Sequence, residues 1–129
     1  MSPMQSSRMW ILVGATLGLL GVVAGALGAH ALRGVLETDA LATFQTAVRF
    51  QMYHAIVLLV IGFLAGRWKP GIINLACTLF TAGVLLFSGS LYALAITGIG
   101  AFGVVTPVGG VALIAGWGSL IIGAFRHRD

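Results

Sequence analysis

Apolar residues run along this chain in four long blocks, and the polar positions serve as punctuation between them. No Asp, Glu, Lys or Arg lies between Arg8 and Arg33. The block from Met9 to Ala31 is about 23 residues, roughly 33 Å of helix, enough to cross a hydrocarbon core of about 30 Å. It predicts a first span over 9–31, with Trp10 at the interface where an amphipathic ring belongs. The block is too long for the apolar region of a signal peptide, so it is read as a retained helix. Residues 1–8 read as a short polar segment without fixed structure. The stretch 32–38 carries Arg33 and Glu37 and predicts a turn, with Thr38 or Asp39 as N-cap. Helical periodicity then continues from Asp39 to Gly66, more than the core needs. Residues 39–48 are therefore expected to protrude or lie among the headgroups, and the second span to cover 49–66 between Arg49 and Arg67. Trp68 and Lys69 mark the next interface, and Pro70 suits a first helical position. The third span is predicted over 71–95. A glycine-rich turn follows at 97–105. Thr106-Pro107 then opens a fourth span, 106–125, with Thr as cap and Pro at the first position.

The spacing of small residues suggests which faces meet. Gly14, Gly18, Gly21, Gly25 and Gly28 fall on one side of the first helix, and Gly109, Ala112, Gly116, Ser119 and Gly123 on one side of the fourth. Small residues let membrane helices approach closely. In the third helix Asn74, Thr78, Thr81, Leu85, Ser88 and Tyr92 form a mildly polar stripe, expected to face protein rather than lipid. Packing is its ordinary role; a solute pocket lined by Thr78, Thr81 and Ser88 is the alternative. Trp117 falls near mid-membrane and is expected to rest on a neighbour's small face. The fold class is all-α: a single transmembrane domain, an integral membrane four-helix bundle running up-down-up-down, with left-handed crossings near about 20°. Arg8, Arg67, Lys69, Arg126 and Arg128 then share one side, whereas Arg33 and Arg49 on the other are offset by Glu37 and Asp39. The positive-inside rule puts both termini in the cytoplasm of a multi-pass inner (plasma) membrane protein.

Composition agrees with the pattern. Of 129 residues, 59% are hydrophobic and 8% charged, where soluble domains run near about a quarter charged. The net charge of +4 sits at span ends, which suits lipid headgroups and not nucleic acid. A single cysteine, Cys77, excludes an internal disulfide and reads as a small buried thiol.

Candidate chemistry is sparse. There is no glycine-rich phosphate loop, no zinc-protease motif and no nucleophile elbow, so no enzyme and no cofactor is implied. No Asp, Glu, Lys or Arg lies inside the spans beyond the bracketing Arg49, which argues against an ion-coupled transporter. Three histidines remain. His127 belongs to the charged tail Arg126-His127-Arg128-Asp129. His54 reads first as a helix–helix hydrogen-bonding group and His30 as interfacial; as a pair they are a candidate metal or haem site. Counting depth at 1.5 Å per residue brings His30, Arg33, Arg49, Gln51, His54, Ser90, Tyr92 and Thr106 toward the extracytoplasmic end. One reading is a hydrogen-bonded plug in which Arg49 is held by Glu37, Asp39 or a carbonyl. The other is a small polar site. Either predicts that Arg49→Leu disturbs folding more than Arg128→Leu.

Four ordered motifs carry a resemblance: Gly-Ala-Leu-Gly-Ala-His-Ala-Leu at 25–32, Phe-Gln-Met-Tyr-His-Ala at 50–55, Phe-Ser-Gly-Ser-Leu-Tyr at 87–92, and Thr-Pro-Val-Gly-Gly at 106–110 with Gly-Trp at 116–117. Together they resemble the YgdD/YwdK family of small bacterial inner-membrane proteins over nearly the whole chain. Phe50 stands where the family often has Tyr, one hydroxyl fewer. The resemblance implies four spans and supplies no activity. Three functions are therefore carried forward. The favoured one is a structural or interaction protein that self-associates or docks on a membrane partner. The second is a binder or passive conduit for a lipid or small neutral solute. The third is metal or haem binding through His30 and His54. The partners implied are membrane lipids, a second copy of the chain or another membrane protein, and no nucleic acid.

Overall fold

The structure, a computed structural model, describes residues 2–127. It contains four helices: α1 (Pro3–Ala29), α2 (Thr38–Leu64), α3 (Pro70–Thr97) and α4 (Phe102–Arg126). All four are long and apolar enough to cross a membrane. Each is longer than its expected span, and the ends show why.

Helix α1 starts well before Met9. Ser2 accepts from the Gln5 amide at 3.2 Å, Gln5 Oε1 accepts from the Ser2 amide at 2.9 Å, and Pro3 takes the first helical position. This capping box satisfies two amides that a helix start leaves free. From Pro3 onward the chain is thus helical rather than unstructured, and the cap is written in the sequence as Ser-Pro-x-Gln. At α2 the N-cap is Glu37, without a side-chain bond. Thr38 and Asp39, the expected caps, lie in the first turn, where the Asp39 carboxylate suits the positive helix end.

Pro70 does open α3. That helix runs to Gly98, whose φ of 70° closes it with its amide on the Leu94 carbonyl at 2.8 Å. The expected turn over 97–105 contracts accordingly. Helix α4 begins at Phe102 through 3₁₀-like bonds, Phe102 to Ile99 at 3.2 Å and Gly103 to Gly100 at 3.0 Å. Pro107 sits inside the helix and Thr106 is no cap. The helix tolerates Pro107 because the ring removes a single donor near the helix end, the one that would reach the Gly103 carbonyl.

Sequence neighbours pack antiparallel. Along α1 and α2, Gly14 faces Ala55, Gly21 faces Met52 and Gly28 faces Phe44. Along α3 and α4, Gly83 faces Leu113, Gly109 faces Phe87, Gly116 faces Phe80 and Gly123 faces Trp68. A Cβ on Gly14 would lie 2.9 Å from the Ala55 carbonyl oxygen, so only hydrogen fits between these backbones. Gly18 and Gly25 sit at the edge of the same seam, where a Cβ would come no closer than 4.0 Å to Ala55 and 3.4 Å to Val48 respectively. Leu58, Ala76, Cys77 and Phe80 form the fully buried centre. The result is an up-down-up-down four-helix bundle with an open side. Helices α1 and α3 approach only briefly across α2, and the backbones of α1 and α4 do not approach at all. Ser2 and His127 lie at one end with Arg8, Arg67, Lys69 and Arg126, the end that the positive-inside rule places in the cytoplasm. Arg128 and Asp129 lie outside the described residues.

Candidate functional site

The polar side chains inside the bundle form separate hydrogen-bonded groups, not one cluster. At the first, Gln51 Nε2 donates to the Leu17 carbonyl at 2.8 Å, while Gln51 Oε1 accepts from the Tyr92 hydroxyl at 2.6 Å. One side chain therefore joins α1, α2 and α3. The Ser88 hydroxyl donates to the Ala47 carbonyl at 2.8 Å beside it, and the Phe44 ring sets its edge to Tyr92 at 4.9 Å. A carbonyl carries two lone pairs, so Leu17 and Ala47 can accept these bonds as well as their helical ones.

The second group joins α3 to α4. Ser90 and Thr106 share a hydroxyl–hydroxyl bond of 2.6 Å, and Ser90 also donates toward the Phe87 carbonyl at 2.9 Å. Helical geometry explains the division. Ser88 and Tyr92 lie about 40° apart around α3, and Ser90 about 200° from Ser88, so they serve opposite neighbours.

His54 belongs to a third, aromatic group. It is 4% exposed. Its Nδ1 lies 2.6 Å from the Phe50 carbonyl, and its Nε2 lies 3.2 Å from the Trp117 indole nitrogen. The tautomer with hydrogen on Nδ1 satisfies both bonds: Nδ1–H donates to Phe50 and Nε2 accepts from Trp117. The rings of Phe80 and Trp117 surround it, with centroids at 5.4 and 6.0 Å. Trp117 thus rests on His54 and Phe80 and not on a small face, because its indole N–H needs an acceptor in an apolar setting.

The remaining expected members lie elsewhere. His30 is the exposed C-cap of α1, and Arg33 lies in the turn after it. Gly28 opposes Phe44, and His54 is ten residues further along α2, about 15 Å deeper. The two histidines cannot share a ligand, and both nitrogens of His54 are engaged. This removes the metal or haem pair. Among the described residues no three His, Cys, Asp or Glu side chains gather in a way that could hold a metal. Arg49 donates to Thr46 Oγ1 at 3.1 Å on the exposed side of its own helix, not to Glu37 or Asp39. The ionic plug is therefore absent, and with it the reason to expect a large effect of Arg49→Leu; Arg128 lies outside the described residues.

The α3 stripe also divides. Thr78 is exposed, Thr81 donates to the Cys77 carbonyl at 2.8 Å, and only Ser88 and Tyr92 reach α2. Ser88 and Thr81 line different recesses, and Thr78 lines neither of them. Asn74 instead accepts from the Trp10 indole at 2.9 Å, and the Ser7 hydroxyl donates to the Gly62 carbonyl at 2.6 Å. Neither contact is among the sequence expectations. Trp10 reads as an interfacial ring, yet an indole N–H in an apolar run signals that an acceptor has to be near. Among the described residues every buried side-chain nitrogen and oxygen has a partner.

Of the recesses on the surface, three bear on function. A groove of about 340 Å³ opens between α1 and α3, walled by Leu17, Leu20, Leu85 and Gly89, with Gln51, Ser88 and Tyr92 as its polar floor. A wholly apolar groove of about 260 Å³ lies between α2 and α4, walled by Val57, Ile61, Trp117 and Leu120, with Trp68 lining its terminal end. Below Trp68 a recess of about 230 Å³ is lined by Lys69, Ile72, Gly123, Arg126 and His127.

Comparison with known proteins accords with the membrane reading. Residues 24–110 match the family described as "Protein of unknown function (DUF423)". The UPF0382 membrane protein YwdK of Bacillus subtilis (strain 168) is 41% identical over 121 residues, covering 93% of this chain and 98% of that protein. UPF0382 membrane proteins of Staphylococcus haemolyticus (strain JCSC1435) and Staphylococcus aureus (strain bovine RF122 / ET3-1) are 42% and 41% identical over 119 residues, each covering 92% of this chain and 97% of the relative. None of these names carries an activity. No solved structure matches the chain. With its four apolar helices and relatives matched almost end to end, this multi-pass membrane protein belongs to the DUF423 family, whose function is unknown.

Proposed function

We propose that the protein is a non-catalytic interaction module of the membrane, docking a second copy or another membrane protein along its open flank. The supporting observation is the groove between α1 and α3. The glycine stripes do not support this reading, because Gly14, Gly21, Gly28, Gly109, Gly116 and Gly123 are all consumed within the chain. The open flank does. There α1 and α3 diverge over α2, and Gly89 stands on the rim with nothing within 4 Å of where a Cβ would lie. A small residue beside a groove leaves room for another backbone.

Crosslinking in native membranes tests it. Gly89→Cys, in a Cys77→Ser background, is expected to crosslink to a second copy or to one discrete partner. Gly89→Trp, which fills the groove, is expected to abolish co-purification of that species. A chain that stays monomeric and uncrosslinked at native abundance refutes the reading. A second reading, a binder of a lipid or small neutral solute, is favoured by the polar floor of the same groove. The Tyr92 hydroxyl and Gln51 amide there lie beside otherwise apolar walls. Native mass spectrometry separates the two: a retained small molecule lost in Tyr92→Phe supports the second, and a retained polypeptide the first.

A further inference from the structure

The other two recesses share a wall, Trp68, and differ sharply in character. Above Trp68, toward mid-membrane, the α2/α4 groove is lined by aliphatic and aromatic side chains alone. Below it the recess carries Lys69 and Arg126, with the His127 ring stacked on Trp68 at 6.0 Å. The floor of that recess exists because Gly123 lets α4 approach; a Cβ there would fall 2.8 Å from the Trp68 ring. Among the described residues the acidic side chains, Glu37 and Asp39, belong to the opposite end of the bundle. One continuous surface therefore runs from a cationic recess at headgroup depth, past an interfacial Trp, into an apolar groove at acyl-chain depth. Its gradient from charge to apolar side chains matches an amphiphile with an anionic head.

We propose that this surface is a binding site for an anionic phospholipid, with the phosphate at Lys69 and Arg126 and one acyl chain along Val57, Ile61, Trp117 and Leu120. Charge complementarity selects the occupant: basic recesses between membrane helices at the cytoplasmic face hold anionic headgroups. The groove alone would take any acyl chain. The recess alone would take any phosphate. The site lies on the α2/α4 side and is independent of the flank between α1 and α3.

The test is native mass spectrometry of the full chain from bilayers of phosphatidylglycerol and phosphatidylcholine with identical acyl chains. Each surface charge is worth about fivefold in lipid affinity. The native chain is expected to retain one phosphatidylglycerol in preference to phosphatidylcholine by about 25-fold, and Lys69→Gln with Arg126→Gln to bring the two close to parity. Arg33→Gln, at the other end, leaves the preference unchanged. Val60→Trp, on the half-exposed rim of the groove, is expected to expel the lipid, whereas Val104→Trp, equally bulky and far from it, does not. Circular dichroism confirms that each variant is folded. The proposal is overturned by equal retention of the two lipids by the native chain, or by an unchanged preference in the double variant. It is also overturned by lipid retention that survives Val60→Trp, or by soluble glycerophosphate competing as well as the intact lipid.

Discussion

Replacing Gly109 by Ala adds one methyl group where α3 and α4 touch backbone to backbone. The new Cβ would lie 2.8 Å from the Phe87 Cα and 2.9 Å from the Leu86 carbonyl carbon, and against the Phe87 amide nitrogen. None of these atoms belongs to a side chain that can turn away. They sit in the middle of α3, so the methyl is accommodated only if the two helices part. Overpacking of this kind costs about 1–3 kcal/mol. Ala also returns about 0.5–1 kcal/mol relative to Gly through its better helix propensity. The net expectation is a loss of up to about 2.5 kcal/mol, centred on about 1 kcal/mol. Gly118→Ala on the same helix is the control, since nothing lies within 4 Å of its Cβ position. That change gains the propensity term alone and is expected to be neutral or stabilising by up to about 1 kcal/mol. Titration of the purified protein from mild detergent into dodecyl sulfate, followed by circular dichroism, measures both. Equal shifts of the unfolding midpoint in the two variants would refute the close approach of α3 and α4.

Other contacts give smaller effects by the same assay. Tyr92→Phe and Gln51→Leu are expected to couple in a double-mutant cycle by about 0.6 kcal/mol and by no more than about 1.7, the range for interhelical bonds in a membrane protein; zero coupling would mean the 2.6 Å bond contributes nothing. Trp117→Phe takes the donor from His54 Nε2 and is expected to destabilise, and His54→Ala should then cost less in that background than in the native chain. Arg49→Leu is expected to stay within about 0.5 kcal/mol of the native chain, because the side chain bonds only to its own helix on an exposed face. A larger loss would restore the ionic plug.

How far the sequence carries depends on what each signal encodes. The four helices are legible because length and apolar continuity are properties of one segment. Their order around the bundle is partly legible, since a connection as short as Gly98–Ala101 leaves α3 and α4 little choice but to pair. The start of α1 is obscured by the charge at Arg8, which looks like a boundary although the capping box at Ser2 lies beyond it. The start of α4 misleads because Thr-Pro resembles a cap and a first residue, whereas the Thr106 hydroxyl is spent on Ser90. Polar partners are the least legible. Depth places Ser90, Tyr92 and Thr106 at one level, but azimuth decides who meets whom. A rotation of about 100° per residue separates Ser90 from its neighbours two positions away.

The open side between α1 and α4 is hidden for a different reason. In water an apolar face has to be buried, so a hydrophobic stripe predicts a neighbour. In lipid that demand is gone, because acyl chains are as apolar as Leu. Leu19, Phe63 and Phe125 are 66, 75 and 83% exposed, while Leu58 and Phe80 are fully buried, and nothing in their hydropathy distinguishes the two sets. What distinguishes the buried faces is the small residue beside each: Gly14 under Leu58, Gly116 under Phe80. Size, not polarity, marks the helix interfaces in this chain. The α1 stripe therefore has a single partner's worth of close contact, Gly14, Gly21 and Gly28 at seven-residue intervals against α2, and no second set aimed at α4. A chain built to close the ring would need such a set on the far side of α1. Its outer face instead presents Leu12, Leu19, Val22 and Val23, large and exposed, so the bundle has no close-packing seam with which to close.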